Sequence, residues 1–173
     1  MIKTTRLTLR NFAINDTENC YNNWGQDISL GKFIAFYPMK NIREMNLFVS
    51  AMVKNKDSWL ICLKDGTPIG YVSMDIPYPH LGVGEIGYVI GEKFQRNGYA
   101  KETVSAVVKE YLINRNLYLI EAKCNEDNKA SQILLNKIGF LEEARLRDRR
   151  IDFDSGIRKD VLIYSITKNE FRE

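Results

Sequence analysis

The fold is decided by Glu85-Ile-Gly-Tyr-Val-Ile-Gly-Glu-Lys-Phe-Gln-Arg-Asn-Gly-Tyr-Ala100, in which an apolar strand runs through a glycine-bearing loop into an amphipathic helix. The loop, residues 95–100, has small residues where the backbone can come close to a ligand. The helix that follows directs its unpaired N–H groups back toward the loop. This junction therefore predicts a phosphate-binding site.

The residues after this junction complete a βαβ unit. The strand covers 85–91, the helix continues to about residue 114, and a second strand covers 117–124. The buried face of the helix is expected to carry Val104, Val107, Val108, Tyr111 and Leu112. One side of the second strand is expected to carry Tyr118, Ile120, Ala122 and Cys124. Strands joined by such a helix should be parallel, with a right-handed connection.

The chain before the junction begins with a half-buried strand at residues 5–12, where polar and apolar residues alternate. Asn15–Glu18 has capping-box spacing and predicts a short helix that ends near Trp24. The same spacing at Asn41–Glu44 predicts a longer helix. Residues 25–40 have glycine, proline and aromatic residues without clear periodicity, so we interpret them as a loop over a cleft.

The remaining elements complete a mixed α/β fold. They are a hairpin (58–64 and 69–76), a helix (129–138, stopped by Gly139) and two strands (140–150 and 160–167). The expected sheet is mixed and mostly antiparallel, with the parallel βαβ unit at its centre. Because 173 residues with 45% hydrophobic content suit one compact core, we expect a single domain over residues 1–173.

Charge and cysteine content exclude several classes of protein. The net charge of +3 is too mild for a general nucleic-acid binder, although residues 145–150 form one basic cluster. Cys20, Cys62 and Cys124 are an odd number without motif spacing, which favours reduced thiols in a cytoplasmic protein. The N-terminal segment lacks a signal-peptide core and no window approaches 18 uninterrupted apolar residues, so we expect no membrane association.

Several motifs together point to a known family. The loop has the form Gln-x-x-Gly-x-Ala, and Asn128, Ser131 and Gly139-Phe140 follow at a characteristic spacing. Nearly the whole chain resembles the GNAT superfamily of acyl-CoA N-acetyltransferases. The segment Arg6-Leu-Thr-Leu-Arg10 and the stretch 128–140 are similar to the RimJ/RimL type, whose named members acetylate the N-termini of ribosomal proteins. The resemblance implies acetyl-CoA as co-substrate, with no metal.

Coenzyme A requires a site for its pyrophosphate and another for its pantetheine amides. The amides of residues 96–101 can donate to the pyrophosphate, with Arg96 and Lys101 as charge partners. Alternatively, Gly98 and Ala100 only permit a tight turn. The candidate cofactor-binding residues are Tyr88, Val89, Ile90, Gln95, Arg96, Asn97, Gly98, Tyr99, Ala100, Lys101, Asn125, Asn128 and Ser131. Dinucleotide-binding and P-loop motifs do not match this loop.

An amine nucleophile is mostly protonated at neutral pH, so catalysis requires a proton acceptor. Glu85 is the candidate base because it begins the central strand, and the resemblance implies a glutamate near this place. The alternative is a solvated carboxylate at a strand end. Weaker competitors are Asp75, Glu92 and Glu121. His80 lies in a proline-rich loop, and the resemblance implies no covalent enzyme intermediate.

The departing thiolate requires a proton or a strong hydrogen bond. Many GNAT enzymes use a tyrosine four residues before the glycine of Gly-Phe, but Leu135 occupies that position here. The resemblance places Ser131 near the coenzyme sulfur, and a helix-surface serine is the alternative. Asn125 and Asn128 can satisfy pantetheine amides, although Asn128 also suits a helix N-cap.

The residues on the acceptor side of the cleft are the hardest to predict from the sequence. Candidate substrate-binding residues are Trp24, Phe36, Tyr37 and Tyr78, each of which also suits a core position. The leading acceptor is a protein N-terminal amine, and polyamines or aminoglycosides are the alternatives. A sensor that binds acyl-CoA without turnover is a hypothesis of another class. Exposed strand edges leave both a monomer and a homodimer open.

Overall fold

The computed structural model describes residues 1–32, 38–152 and 155–172. The chain forms two compact units. The first comprises Met1–Ser73 with Tyr88–Ala106, and the second comprises Met74–Gly87 with Val107–Glu173. The expectation of one domain over the whole chain stays a prediction.

Eight strands form one open sheet, which is mixed as the sequence predicts, and its first strand, Ile2–Lys3, is one that the sequence analysis did not predict. The strands are β1 (Ile2–Lys3), β2 (Leu7–Arg10), β3 (Ser58–Leu63), β4 (Pro68–Tyr78), β5 (Val83–Ile90), β6 (Leu119–Asn125), β7 (Leu141–Ile151) and β8 (Arg158–Thr167). Their order is β1-β2-β3-β4-β5-β6-β8-β7. β5 and β6 pair in parallel, from Val83 opposite Leu119 to Glu85 opposite Glu121, which confirms the parallel pair of the βαβ unit.

Four α-helices accompany the sheet. They are α1 (Thr17–Cys20), α2 (Ile42–Lys54), α3 (Tyr99–Lys109) and α4 (Lys129–Ile138). α1 continues as a π-helical turn over Tyr21–Gly25, so the first helical segment ends near Trp24 as predicted. α3 continues in the same way to Asn114, and α4 has the predicted bounds.

Apolar side chains from α1, α2 and the strands form the core of the first unit. Its buried members are Phe12, Cys20, Trp24, Leu30, Met45, Val49, Leu60, Cys62 and Val89. The ring of Trp24 lies 5.7 Å from that of Phe48 and 5.4 Å from that of Tyr71, measured between centroids. This burial of aromatic and aliphatic surface supplies the main stabilisation of the unit.

Asn41 is confirmed as the N-cap of α2, although Glu44 accepts a hydrogen bond from the Lys40 amide rather than from the Asn41 amide. The cap predicted at Asn15 is wrong. The Asn41 side chain accepts a hydrogen bond from the Glu44 amide at 3.0 Å and caps α2. Asn15 does not cap α1, because it lies inside a 3-10 turn that spans Ile14–Asp16. The next residue, Asp16, instead accepts a hydrogen bond from the Ala13 amide at 2.8 Å and thereby fixes that turn.

The second unit contains α4, the π-helical end of the preceding helix, β6 and β8. Ile120, Ala122 and Cys124 are buried on one side of β6, as predicted. Tyr118 precedes the strand and is 59% exposed, so its predicted place among them is wrong. Gly139 ends α4 with φ of +107°, a left-handed conformation that favours glycine.

Candidate active site

The candidate phosphate-binding loop, residues 95–98, leads directly into α3 in the first unit. Arg96 and Gly98 both have left-handed backbone angles, with φ of +62° and +78°. Alternation of left- and right-handed residues turns successive N–H groups toward one concave side, which suits an anion. The first intrahelical bond runs from the Glu102 amide to the Gly98 carbonyl at 3.1 Å. Helix geometry leaves the amides of residues 99–101 without intrahelical acceptors.

Two amide side chains fix the loop from within. Gln95 Nε2 donates to the Ile90 carbonyl at 2.9 Å. Asn97 Nδ2 donates to the carbonyls of Phe94 and Gln95 at 3.2 and 3.0 Å. These two predicted cofactor residues therefore shape the loop through their side chains, and the Gln95 amide donates to the Glu92 carbonyl at 3.1 Å. Arg96 is exposed in the same loop.

The end of β5 before this loop is tightly held in the first unit. The side chain of Val89 belongs to the core, and Gly91 N donates to the Ile69 carbonyl at 2.9 Å. A Cβ atom added at Gly70 would come 2.0 Å from the Val89 carbonyl oxygen, so β4 and β5 approach here as only glycine permits. Tyr88, Val89 and Ile90 thus offer a rigid backbone that leads into the loop.

Glu85 and Lys123 form an ion pair in the second unit. Lys123 Nζ lies 2.6 Å from Glu85 Oε2, and the two side chains are 41% and 39% exposed. Because Glu85 and Glu121 are register partners, their side chains belong to the same face of the parallel pair. The predicted base is therefore a charged, water-accessible carboxylate with one cationic partner.

The start of α4 brings together three predicted cofactor residues of the second unit. Asn128 caps the helix through its Oδ1 atom, which accepts a hydrogen bond from the Ser131 amide at 3.1 Å. Asn125 is buried, and its carbonyl accepts from the Asn128 amide at 3.0 Å. Asn128 is therefore the N-cap of α4, as its alternative interpretation predicted. The NH₂ group of its side chain is the part that suits a ligand.

The Ser131 side chain is half-buried near a thiol. Burial raises the pKa of the Cys124 thiol to about 11, and a hydrogen bond with the Ser131 side chain works against that increase. The hydroxyl of Ser131 is thus within reach of a sulfur atom in this structure. Leu135, one turn later, is fully buried and contributes to the core. The absence of a tyrosine at position 135 is consistent with this packing.

The predicted acceptor residues have different surroundings. Trp24 is only 1% exposed and packs in the core of the first unit, which favours a structural role over ligand contact. Tyr78, in the second unit, is 61% exposed and is available to a ligand. Phe36 and Tyr37 lie outside the described residues.

A polar cleft of about 210 Å³ lies in the first unit, after the end of β5. Its lining residues are Asn22, Asn23, Trp24, Gln26, Asp27, Glu92 and Lys93. Lys93 Nζ donates to Asn23 Oδ1 at 2.7 Å, and the Glu92 amide donates to Asp27 Oδ2 at 2.7 Å. The cleft is smaller than usual ligand pockets, and the Asn23, Asp27 and Lys93 side chains in its lining are engaged in these hydrogen bonds.

The basic cluster at residues 145–150 is partly neutralised within the second unit. Arg145 forms ion pairs with Glu126 and with Asp160, the latter at 2.5 Å. Asp160 also accepts a hydrogen bond from the Asp148 amide at 2.9 Å. Arg145 therefore stabilises the hairpin of β7 and β8, while Arg147 and Arg149 remain exposed.

Sequence reasoning did not foresee the contacts that Arg6 makes with the loop. Arg6 Nη1 donates to the Asn97 carbonyl at 2.8 Å, and Arg6 Nε donates to Glu102 at 2.7 Å. The signal was present in the Arg6-Leu-Thr-Leu-Arg10 segment, but a separation of more than 90 residues hides such a contact in a single sequence. Lys123, the partner of Glu85, was missed for a similar reason.

Comparison with known proteins identifies the class. The family described as "Acetyltransferase (GNAT) domain" matches residues 6–141, so the chain belongs to this family. An uncharacterized N-acetyltransferase p20 of Bacillus licheniformis is 28% identical, and the match covers 97% of this chain and 96% of that protein. The protein is therefore an acyltransferase that uses acetyl-CoA.

Two solved structures extend the comparison. The microcin C7 self-immunity acetyltransferase MccE, in complex with acetyl-CoA and AMP, has a TM-score of 0.84 at 26% identity, with 95% of this chain and 93% of that chain covered. RimL, a ribosomal-protein acetyltransferase in complex with coenzyme A, has a TM-score of 0.85 at 20% identity, with 95% of each chain covered. The likeness to RimL concerns the fold alone.

The residues that the structure describes include neither a membrane-spanning helix nor a cluster of metal ligands. No helix among them is long and apolar enough to cross a membrane. No group of three or more His, Cys, Asp and Glu side chains there is arranged to hold a metal ion.

Proposed function

We propose that this protein acetylates the N-terminal amine of a protein by direct attack on acetyl-CoA in a ternary complex. The amine nitrogen attacks the thioester carbonyl carbon, the carbon–sulfur bond breaks, and coenzyme A leaves as a thiolate. The attacking nitrogen loses a proton, and the thiolate takes one up. The chain therefore has to provide an acceptor for the first proton and a hydrogen-bond donor that stabilises the thiolate until water protonates it.

The cofactor part of the proposal is carried by the loop at the N-terminus of α3. Its left-handed residues, Arg96 and Gly98, and the free amides of the first helical turn make a site for the pyrophosphate. Tyr99, Ala100 and Lys101 supply those amides. The Lys101 side chain is exposed, and its ammonium group adds a positive charge that needs no particular orientation toward the pyrophosphate.

The pantetheine arm is assigned to backbone groups of residues 88–90 and to the amides of Asn125 and Asn128. An extended arm can pair with a strand edge as a peptide does. One backbone N–H of residues 88–90, directed at the thioester oxygen, would stabilise the negative charge that develops during attack. The NH₂ group of Asn128 suits a pantetheine carbonyl, because its Oδ1 atom already accepts the helix cap bond.

Glu85 is assigned as the proton acceptor, directly or through one water molecule. Its carboxylate is accessible to solvent, and the Lys123 ammonium group lies 2.6 Å away. Ser131 is assigned to the thiolate, to which its hydroxyl donates a hydrogen bond. Tyr78, which is exposed, is assigned to contact the acceptor amine. The three free cysteines favour a cytoplasmic location, where thiols stay reduced.

The low intrinsic pKa of an α-amine favours an N-terminal amine as the acceptor. An α-amine has a pKa of about 7.7–8.0, whereas that of a lysine side chain is about 10.4, so the α-amine has the larger neutral fraction at pH 7. A base that is open to solvent, as Glu85 is, deprotonates an α-amine more readily than a lysine side chain. The likeness of fold to RimL supports the same choice.

The test measures release of coenzyme A by the purified protein with a panel of amines. The panel contains peptides with free N-termini, the same peptides with blocked N-termini, polyamines and aminoglycosides. We expect the highest kcat/KM with free N-termini and no turnover with blocked ones. If a polyamine or an aminoglycoside is turned over preferentially, that amine replaces the protein N-terminus as the proposed acceptor. If acetyl-CoA binds but no amine is acetylated, the protein is a sensor that binds acyl-CoA without turnover.

A further inference from the structure

Arg6 contacts the coenzyme loop from the turn between β1 and β2. Its guanidinium donates through Nη1 to the Asn97 carbonyl at 2.8 Å. The guanidinium carbon also lies 4.8 Å from the centre of the Tyr99 ring, which is a cation–π distance. A Cβ atom added at Gly98 would meet Arg6 Nη2 at 3.3 Å. Arg6 therefore contacts three successive residues at the point where the loop becomes helix.

The same arginine is fixed at its other side by Glu102, in the first turn of α3. Glu102 accepts from Arg6 Nε at 2.7 Å, from the Arg6 amide at 2.8 Å and from the Thr4 hydroxyl at 2.6 Å. Although burial raises it, these hydrogen bonds hold the pKa of the Glu102 carboxyl below its ordinary value. The carboxylate is therefore charged at neutral pH and ties the turn to the helix.

The turn itself is braced by a lysine from the following hairpin. Lys64 Nζ donates to the carbonyls of Thr4 and Leu7 at 2.8 and 2.9 Å. The Leu7 amide donates to the Thr4 hydroxyl at 3.0 Å. Arg6 thus extends from a rigid turn rather than from a free N-terminal segment.

We propose that Arg6 is a positioning residue for the coenzyme loop, which it holds in the conformation that binds the pyrophosphate. The inference rests on the assignment of this loop to the coenzyme. Two of the donor groups of Arg6 are occupied by the Asn97 carbonyl and by Glu102, so Arg6 acts on the loop backbone. A loop already ordered pays less conformational entropy when the ligand binds.

The test compares Arg6→Ala and Arg6→Lys with wild type, and uses Arg43→Ala as the matched control for an exposed arginine on α2. Calorimetry gives the affinity for acetyl-CoA and for its 3′-dephospho analogue. We expect Arg6→Ala to weaken both by roughly tenfold, the cost of ordering about one residue. The KM for acetyl-CoA should rise while kcat changes little. Arg6→Lys should remain close to Arg6→Ala, because a lysine lacks the planar fork that reaches both partners.

Several outcomes would overturn the inference. Unchanged acetyl-CoA affinity in folded Arg6→Ala would overturn it. A loss of affinity for acetyl-CoA but not for the 3′-dephospho analogue would also overturn it, because such a loss indicates that Arg6 contacts the 3′-phosphate directly. Full recovery in Arg6→Lys would show that charge alone matters. If Arg6→Ala does not fold, Glu102→Gln takes its place, and we expect it to weaken both ligands by one common factor.

One variant separates failure of this inference from failure of the loop assignment. Gly98→Val alters the loop directly. If it keeps wild-type affinity, the loop does not bind the coenzyme and the proposed cofactor site is wrong. If it loses affinity while Arg6→Ala does not, only the role of Arg6 is wrong.

Discussion

Lys123 Nζ lies 2.6 Å from Glu85 Oε2, and both side chains are about two-fifths exposed. The two residues belong to β5 and β6, the parallel pair. In a solvated position the pair contributes little to stability, on the order of 0–1 kcal/mol. The carboxylate therefore can be changed without unfolding the protein, and its chemistry can be tested directly.

We expect Glu85→Gln to lower kcat by about 10²-fold or more, the usual contribution of a general base. The change keeps the shape of the side chain and removes the proton acceptor. Acetyl-CoA affinity should remain near the wild-type value, because the residue is assigned to the amine. Steady-state kinetics and calorimetry measure the two effects, and an unaltered pH–rate profile would show that Glu85 is not the base.

Glu121→Gln is the matched variant for that measurement. Glu121 is the register partner of Glu85 on the neighbouring strand, so it tests a carboxylate in similar surroundings. We expect it to retain most of the turnover. The reverse pattern, with the loss in Glu121→Gln alone, would transfer the role of base to Glu121.

We expect Gly98→Val to weaken acetyl-CoA binding by roughly tenfold or more. A side chain at φ of +78° is strained by about 1–2 kcal/mol, and its Cβ atom would press on Arg6. Gly66→Val is the control, since Gly66 has φ of +91° with no atom within 4 Å of an added Cβ. It should lose similar stability in thermal unfolding but keep its affinity in calorimetry.

Asp16→Asn should destabilise the protein by about 1–3 kcal/mol, because the Arg10 guanidinium would lose its charged partner. Arg10 donates to Asp16 through two nitrogens, at 2.6 and 2.8 Å, and the carboxylate also holds the Ala13 amide. Urea unfolding at pH 7 measures the free-energy difference. If the two free energies of unfolding agree within error, the Arg10–Asp16 ion pair stabilises the fold no more than an exposed pair does.

The same pair predicts a dependence of stability on pH. Burial opposes ionisation of Asp16, but the hydrogen bonds from Arg10 and Ala13 prevail and lower the pKa of its carboxyl. A carboxyl whose folded pKa lies below the unfolded value of about 3.9 stabilises the fold above that pH. The contribution is lost as the pH drops below about 4, so wild type and Asp16→Asn should converge there in urea titrations.

Thiol reagents should react slowly with the native protein. The three cysteines are free and buried, and burial raises the pKa of the Cys20 thiol to about 12. Because the thiolate is the reactive form, we expect no rapid phase with a disulfide reagent at pH 8, and reaction of all three thiols in urea. A rapid native phase would reveal a thiol that opens to solvent.

Local signals in the sequence predicted the elements well. The bounds of α4 and its glycine stop follow from helix periodicity and capping, which act over a few residues. The cap at Asn15 was predicted wrongly because the neighbouring Asp16 accepts from the Ala13 amide and pairs with Arg10, which places Asn15 inside a 3-10 turn. The contacts of Arg6 with Glu102 join residues far apart in sequence, so one chain alone does not reveal them.

The brace that Lys64 provides for the Thr4 and Leu7 carbonyls has a practical consequence. It holds the turn that carries Arg6, so residues 4–7 belong to the folded structure of the first unit. If Arg6 positions the loop as proposed, removing these residues or disturbing them with a purification tag would weaken acetyl-CoA binding. Kinetic constants for this enzyme are therefore best measured on protein in which residues 1–10 are intact and any tag is placed away from them.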